Sequence, residues 1–270
     1  MSSREPDPRD VLILPAPPPN AVVRYGPHED NVADVRLPSA PGPLVVVIHG
    51  GFWRSEYDRA HTGHLAAALV AAGYAVAQLE YRRTGPGAPG GWPTTFDDVL
   101  AGVGALPALV ASAARSLGRP APLAGPPLLV GHSAGGHLAL WYAAHAPASA
   151  APAGVLALAP VADLVEAHRL DLDDGAVSAL LGGGPDERPA AYAAADPLPS
   201  TPLRLPTVIL HGTKDVQVPI ELSRRFVAAA GAVDNEIALW ELPEVGHFEL
   251  IDPRSAAWGK VTEALRSLRR

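Results

Sequence analysis

Cysteine is absent from the 270 residues. That one absence removes disulfides, zinc–thiolate sites and a thiol nucleophile together. Aromatic residues are scarce at 6%, and charged residues make up only 18%. Bases are outnumbered, 21 Lys and Arg against 28 Asp and Glu, for a net charge of −7. Phosphate binding needs a basic face, so nucleic acid is not an expected partner. The one basic cluster, Arg266, Arg269 and Arg270, stands at the C-terminus and suits the end of a helix. No run approaches the roughly 20 apolar residues of a membrane span. The first residues carry acids and prolines where a secretory signal needs continuous apolar side chains, and the apolar run 11–14 is too short to serve. A soluble, cytoplasmic chain without a membrane partner is expected.

What the chain does hold is 48% hydrophobic residues, 30 prolines and 26 glycines, in a length that suits one large domain. Residues 1–20 read as a proline-rich arm lying on the surface or loose in solvent. Residues 21–25 and 32–37 have strand character and are separated by Gly26-Pro27, which suits an antiparallel hairpin at a sheet edge. From there the pattern alternates. Apolar runs at 44–48, 74–79, 128–130, 155–158, 207–210 and 237–242 read as buried strands. Helical stretches are expected at about 61–72, 95–117, 134–144, 220–230 and 256–268. This predicts an α/β fold, with a mostly parallel central sheet, an antiparallel N-terminal edge and helices on both faces. Residues 21–270 then form a single domain. The excursion at 161–205 is too long for an ordinary loop, and its possible short helices at 164–169, 176–181 and 189–195 suggest a small lid.

In such sheets ligands bind where the strands end at their carboxyl side. After the run 128–130 comes Gly131-His132-Ser133-Ala134-Gly135-Gly136. Glycine is common enough here for the letters alone to mean little. A strand before them and a helix after them are what a nucleophile elbow requires, because the turn must be sharp and its flanks crowded. Ser133 is therefore the candidate nucleophile. A serine hydroxyl needs a base, and the base needs an acid to hold its tautomer. Asp215 follows the run 207–210 and His247 follows 237–242, which gives the chain order serine, acid, base. Asp163 is the reserve for the acid. The other histidines fit the base role less well. His49 and His211 read as strand-end hydrogen-bonders, and His132 and His137 flank the serine without aiming at it. His61 and His64 lack a third metal ligand or a His-Glu-x-x-His pattern, so neither a metal nor a cofactor is expected. Strand 44–48 runs into His49-Gly50-Gly51-Phe52-Trp53. The amides of Gly51 and Phe52, joined by that of Ala134, are the expected oxyanion donors.

These segments together resemble the α/β-hydrolase superfamily, and within it the carboxylesterase branch related to hormone-sensitive lipase. His49-Gly50-Gly51-Phe52-Trp53 looks like that branch's oxyanion motif. Glu80-Tyr81-Arg82, Trp92-Pro93 and Asp97-Asp98 look like its acidic-Tyr-Arg segment and the loop after it. Gly131–Gly136, Asp215 with Val218-Pro219, and Gly246-His247-Phe248 look like its catalytic segments. The His-Gly-Gly-aromatic-Trp form is also similar to small feruloyl and acetyl-xylan esterases and to animal-type arylformamidases. Phe52 stands where a third glycine is usual, and no extended helical cap precedes the sheet. The resemblance implies a serine hydrolase acting on a small carboxylic ester, with an aryl formamide of the N-formylkynurenine type as the alternative and a non-catalytic binder of the same fold as the rival. Trp53, Trp92 and Phe248 are the candidate substrate contacts, although Trp53 and Trp92 suit loop packing equally. Replacing Ser133 with Ala is expected to abolish p-nitrophenyl acetate hydrolysis while leaving the circular-dichroism spectrum unchanged; an undiminished rate would reject this nucleophile.

Overall fold

The computed structural model describes residues 7–198, 203, 205–231 and 236–269. Residues 1–6 of the arm and residues 199–202 and 204 of the excursion lie outside these. The strands are β1 (Ala21–Arg24), β2 (Val32–Arg36), β3 (Leu44–Ile48), β4 (Ala75–Leu79), β5 (Leu128–His132), β6 (Gly154–Leu158), β7 (Thr207–Gly212) and β8 (Ile237–Leu242). They form one sheet in the order β1-β2-β4-β3-β5-β6-β7-β8. β1 and β2 pair antiparallel, as does β2 with β4, and every later pairing is parallel. Their burial explains the sequence pattern. β3, β4, β5 and β6 are buried at every position, hence their mostly apolar runs, broken by Gln78 in β4 and His132 at the end of β5, whereas edge strands β1 and β8 are partly exposed.

The helices are α1 (Gly63–Ala71), α2 (Thr94–Ser116), α3 (Ala134–His145), α4 (Leu164–Arg169), α5 (Ala176–Leu181), α6 (Pro189–Ala195), α7 (Glu221–Gly231) and α8 (Trp258–Ser267). Two apolar clusters fill the two faces of the sheet. One gathers Val46, Ile48 and Leu129 with Val99 and Val103 of α2, and the other gathers Val45, Val47 and Val130 with Leu65 of α1 and Val261 of α8. α2 is long and apolar enough to cross a membrane by length and composition alone. Its apolar side is used otherwise, since Phe96, Val99, Val103, Leu106 and Val110 are buried against the sheet and α3. The excursion carries α4, α5 and α6 at the positions expected. They are tied to α3 by Trp141 Nε1, which donates to the Ala194 carbonyl at 2.8 Å, and by His137 Nε2, which donates to that of Ala195 at 3.0 Å.

The arm is held down rather than loose. Residues Pro8–Ile13 form a short 3-10 helix, capped by Asp7 Oδ1 accepting from the Arg9 amide at 2.9 Å. Its Val11 is 1% exposed and joins the second apolar cluster. A proline-rich stretch reads as unstructured because one buried valine leaves no periodic trace.

The tightest packing lies where α3 begins. A Cβ on Gly135 would stand 2.1 Å from the Ile48 carbonyl oxygen and 2.4 Å from that of His49. One on Gly131 would stand 2.2 Å from the Gly135 carbonyl oxygen. No side chain fits either place, since backbone rather than a movable group blocks it. Gly135→Ala is expected to lower stability by about 2–3 kcal/mol, read as a fall in the urea midpoint; a midpoint unchanged from the parent would show that α3 is not held this close.

Candidate active site

Parallel strands β3, β4, β5, β6, β7 and β8 all end on one side of the sheet, so six loops meet there. Ser133 occupies the first of them to matter. It stands between β5 and α3 with φ 56° and ψ −120°. A non-glycine residue there costs of order 1–3 kcal/mol and persists only where its surroundings impose it. They do so here. The Ser133 amide donates to the Leu158 carbonyl at 2.8 Å, and the Ser133 carbonyl accepts from Val161 at 3.3 Å. The end of β6 thus clamps both sides of the turn. Ala134 is the first residue of α3, so its amide has no partner within the helix and lies at the positive end of the helix dipole.

The oxyanion candidates occupy the neighbouring loop, after β3. Gly51, Phe52 and Trp53 have φ of 101°, 48° and 58°, a left-handed run that turns the chain sharply after the strand. A buried polar cluster holds it. The His49 ring stacks on Tyr81 with centroids 4.4 Å apart, and Tyr81 Oη donates to the His49 carbonyl at 2.9 Å. His49 Nε2 bonds Glu80 Oε1 at 2.9 Å, while Glu80 Oε2 accepts from the Arg59 amide at 3.0 Å. Burial alone would favour the neutral Glu80 carboxyl. Its contacts with His49, Arg83 and the Arg59 amide outweigh burial and hold the group at about 2.

His247 Nδ1 lies 2.6 Å from Asp215 Oδ2. The Asp215 carboxylate also accepts from the Gln217 and Val218 amides, each at 2.8 Å, and has His211 Nε2 at 3.4 Å. Desolvation pushes its pKa up, but hydrogen bonds from His211, His247 and the Val218 amide win and hold it well below the usual carboxylate range. An ionised carboxylate can only accept, so the His247 nitrogen facing it, Nδ1, is the one that donates, and in the neutral ring Nε2 is the acceptor. His211 is fully used structurally, with Nδ1 on Ser223 Oγ at 2.7 Å and Nε2 on the Val218 carbonyl at 2.9 Å. The reserve acid, Asp163, is committed elsewhere. It caps α4 through Glu166 and bonds Arg225 Nε at 2.7 Å.

Ser133, His247, Gly51 and Phe52 line one cavity of about 180 Å³, and Phe248 shares it. Two tryptophans named as substrate contacts do not. Trp53 is 0% exposed and packs edge-on to His137 at 5.2 Å, because its left-handed backbone turns the ring down into the core. Trp92 packs against Phe96 and Trp141 and borders a different cleft, beside α5. In their place stand His132 and residues that the motifs gave no reason to choose, among them Tyr57, His61, Gln217, Asp173, and Arg9 and Leu12 of the arm. Only His132 carried a usable signal, since it adjoins the serine in the elbow itself.

His61 and His132 bring imidazoles without charge. Burial, reinforced by neighbouring histidines, lowers His61 to about 3 and takes His132 well below its usual value. His132 Nε2 donates to the His247 carbonyl at 3.2 Å, and its ring lies 4.5 Å from that of His247. His64 turns away from His61 and bonds the Ile251 carbonyl at 3.0 Å. Among the described residues no group of three or more His, Cys, Asp or Glu is placed to hold a metal.

A mostly parallel sheet with a left-handed serine between a strand and a buried helix defines the α/β-hydrolase class. The chain belongs to the BD-FAE family, whose model matches residues 34–229. It is also similar to Esterase LipC of Mycobacterium tuberculosis, 26% identical over 253 residues that cover 85% of this chain and 60% of LipC. The chain therefore spans about 60% of the length of that relative. Among solved structures, esterase B of Lactobacillus rhamnosis inhibited by a tributyrin phosphonate has a TM-score of 0.76 at 20% identity, covering 97% of this chain and 89% of that one. Thermogutta terrifontis esterase 2, phosphoramylated by tabun, has a TM-score of 0.65 at 20% identity, with 92% of each chain covered. These likenesses establish the fold.

The buried histidines make stability pH-dependent. His61 at about 3 and His137 at about 4 both lie below the unfolded value near 6.5, so the unfolded chain binds protons that the folded one refuses. Stability is full above about 6.5 and is lost as pH falls toward these values; Glu80, at about 2 against an unfolded value near 4.3, adds a further loss below that. Urea midpoints are expected to fall steadily from pH 7 to pH 4, and a flat profile over that span would contradict the burial of these rings.

Proposed function

We propose that this chain hydrolyses carboxylic esters through an acyl-serine intermediate. One observation carries the proposal: a serine in a forced left-handed turn shares a cavity with a histidine whose Nδ1 is 2.6 Å from an ionised aspartate. Ser133 Oγ attacks the ester carbonyl as His247 Nε2 takes its proton. The negative charge that develops on the carbonyl oxygen is stabilised by the amides of Gly51, Phe52 and Ala134. His247 then gives its proton to the leaving alkoxide, so the carbon–oxygen bond breaks to an alcohol and an acyl-Ser133. Water, deprotonated by His247, attacks the acyl group and returns the free serine and a carboxylic acid. Asp215 fixes the tautomer and favours the imidazolium formed on the way.

The small cavity supports a short acyl group, and Phe52, Tyr57 and Phe248 supply its apolar walls. Ester cleavage is preferred to aryl-formamide cleavage because the named relatives are esterases. A merely ligand-binding protein would have no need of the strained serine or the ionised acid. A fluorophosphonate probe is expected to label Ser133 covalently, with labelling lost in His247→Ala. Short aryl esters are expected to turn over well above N-formylkynurenine; absence of both labelling and ester turnover would reject the hydrolase, and faster formamide cleavage would reverse the substrate order.

A further inference from the structure

The arm places an arginine at the mouth of the Ser133 cavity, and nothing in the mechanism uses it. Val11 anchors the short helix Pro8–Ile13, and from that helix Arg9 and Leu12 reach the cavity wall. The Arg9 guanidinium lies 5.9 Å from the centroid of the Phe248 ring, and its Nη2 donates to Gln217 Oε1 at 3.4 Å. Phe248 follows His247 and Gln217 follows Asp215 by two residues, so the arginine is referenced to both loops of the base and acid. A guanidinium has five N–H donors. Only this long bond to Gln217 engages them among the described residues, and no carboxylate there lies within ion-pair distance. Asp173, the carboxylate that lines this cavity, is paired with Arg54, and Asp215 is paired with His247. The cavity therefore presents one uncompensated positive charge.

Its position within the cavity is informative. Arg9, Gln217, His247 and Phe248 also border a second cleft of about 220 Å³, lined as well by Asp7, Glu249 and Lys214, the last paired with Glu244 at 3.7 Å. A leaving alcohol departs on the side of the imidazole that protonates it, and Arg9 lines both of the spaces that His247 borders. We infer that Arg9 selects esters whose alcohol portion carries a carboxylate, which it binds while the carbonyl sits at Ser133. This rests on the hydrolase function proposed above. A carboxylate matches the guanidinium fork with two parallel hydrogen bonds, which a neutral group of the same shape does not offer.

The test compares 4-acetoxybenzoate with 4-acetoxybenzamide, which differ in charge but hardly in size. The unmodified protein is expected to favour the acid in kcat/KM by about ten-fold, a preference that weakens at about 0.5 M sodium chloride. Arg9→Gln should remove the preference, and Arg9→Lys should restore part of it. The acyl side is tested with 4-nitrophenyl hydrogen adipate against 4-nitrophenyl hexanoate. No preference in the first pair, a preference that survives Arg9→Gln, or a preference confined to the adipate would each overturn the assignment. Calorimetric binding of 4-hydroxybenzoate against 4-hydroxybenzamide reads the same site without turnover. If no ester is cleaved but the acid binds more tightly through Arg9, the hydrolase proposal falls and the anion site stands; if turnover is normal and neither comparison depends on Arg9, the reverse holds.

Discussion

Everything on the carboxyl side of this sheet depends on how closely the first turn of α3 approaches the end of β3. With Gly135 against the carbonyls of Ile48 and His49, there is room for a helix to begin immediately after β5 and none for a relaxed turn between them. Ser133 absorbs the geometric misfit in its backbone, at φ 56°. The strain is sustained because β6 clamps both its amide and its carbonyl, and because α3 is buried over most of its length. A strained residue held by a packed core is rigid, and rigidity is what a nucleophile needs if its oxygen is to meet a carbonyl without reorganisation.

Around that turn, polar groups are divided by environment. Asp215 and Glu80 are buried carboxylates kept ionised by several donors each, whereas His61, His132 and His137 are buried imidazoles kept neutral by desolvation. The carboxylates have work that requires charge, one orienting His247 and the other bracing the His49 loop. The imidazoles can offer hydrogen bonds without competing with His247 for a proton. A site arranged this way keeps one base among several histidines by controlling solvation rather than by number.

The arm changes what the site can recognise without touching its chemistry. Four loops at the sheet's carboxyl edge, after β3, β5, β7 and β8, supply the serine, amides, acid and base of the proposed reaction, and all of these suit any small ester. Arg9 and Leu12 arrive from the other end of the chain and close one side of the same cavity. Their placement depends on a single buried anchor, Val11, and on a cap from Asp7. Specificity carried on a short separate segment can vary with little cost to the core, since few of its contacts are shared with the sheet.

The element order, the serine–acid–base order and the glycines of the elbow were legible in the chain because each leaves a local trace: an apolar run, a fixed spacing, a residue with no side chain. The helices of the long excursion were legible for the same reason. The direction of Trp53 and Trp92 was not, since an aromatic beside a motif reads alike whether its ring faces a cavity or the core, and the backbone's left-handed turn at residue 53 decides it. Nor could spacing choose between Asp215 and Asp163, because both follow strand ends; Arg225 and His247, brought in from α7 and from beyond β8, made the choice. The arm showed only proline and charge, with nothing to say that it meets a loop more than 200 residues away. The candidate reactive residues were therefore written in local sequence, and the shape of the cavity in contacts between distant segments, because reactivity needs particular residue types while enclosure needs only that surfaces meet.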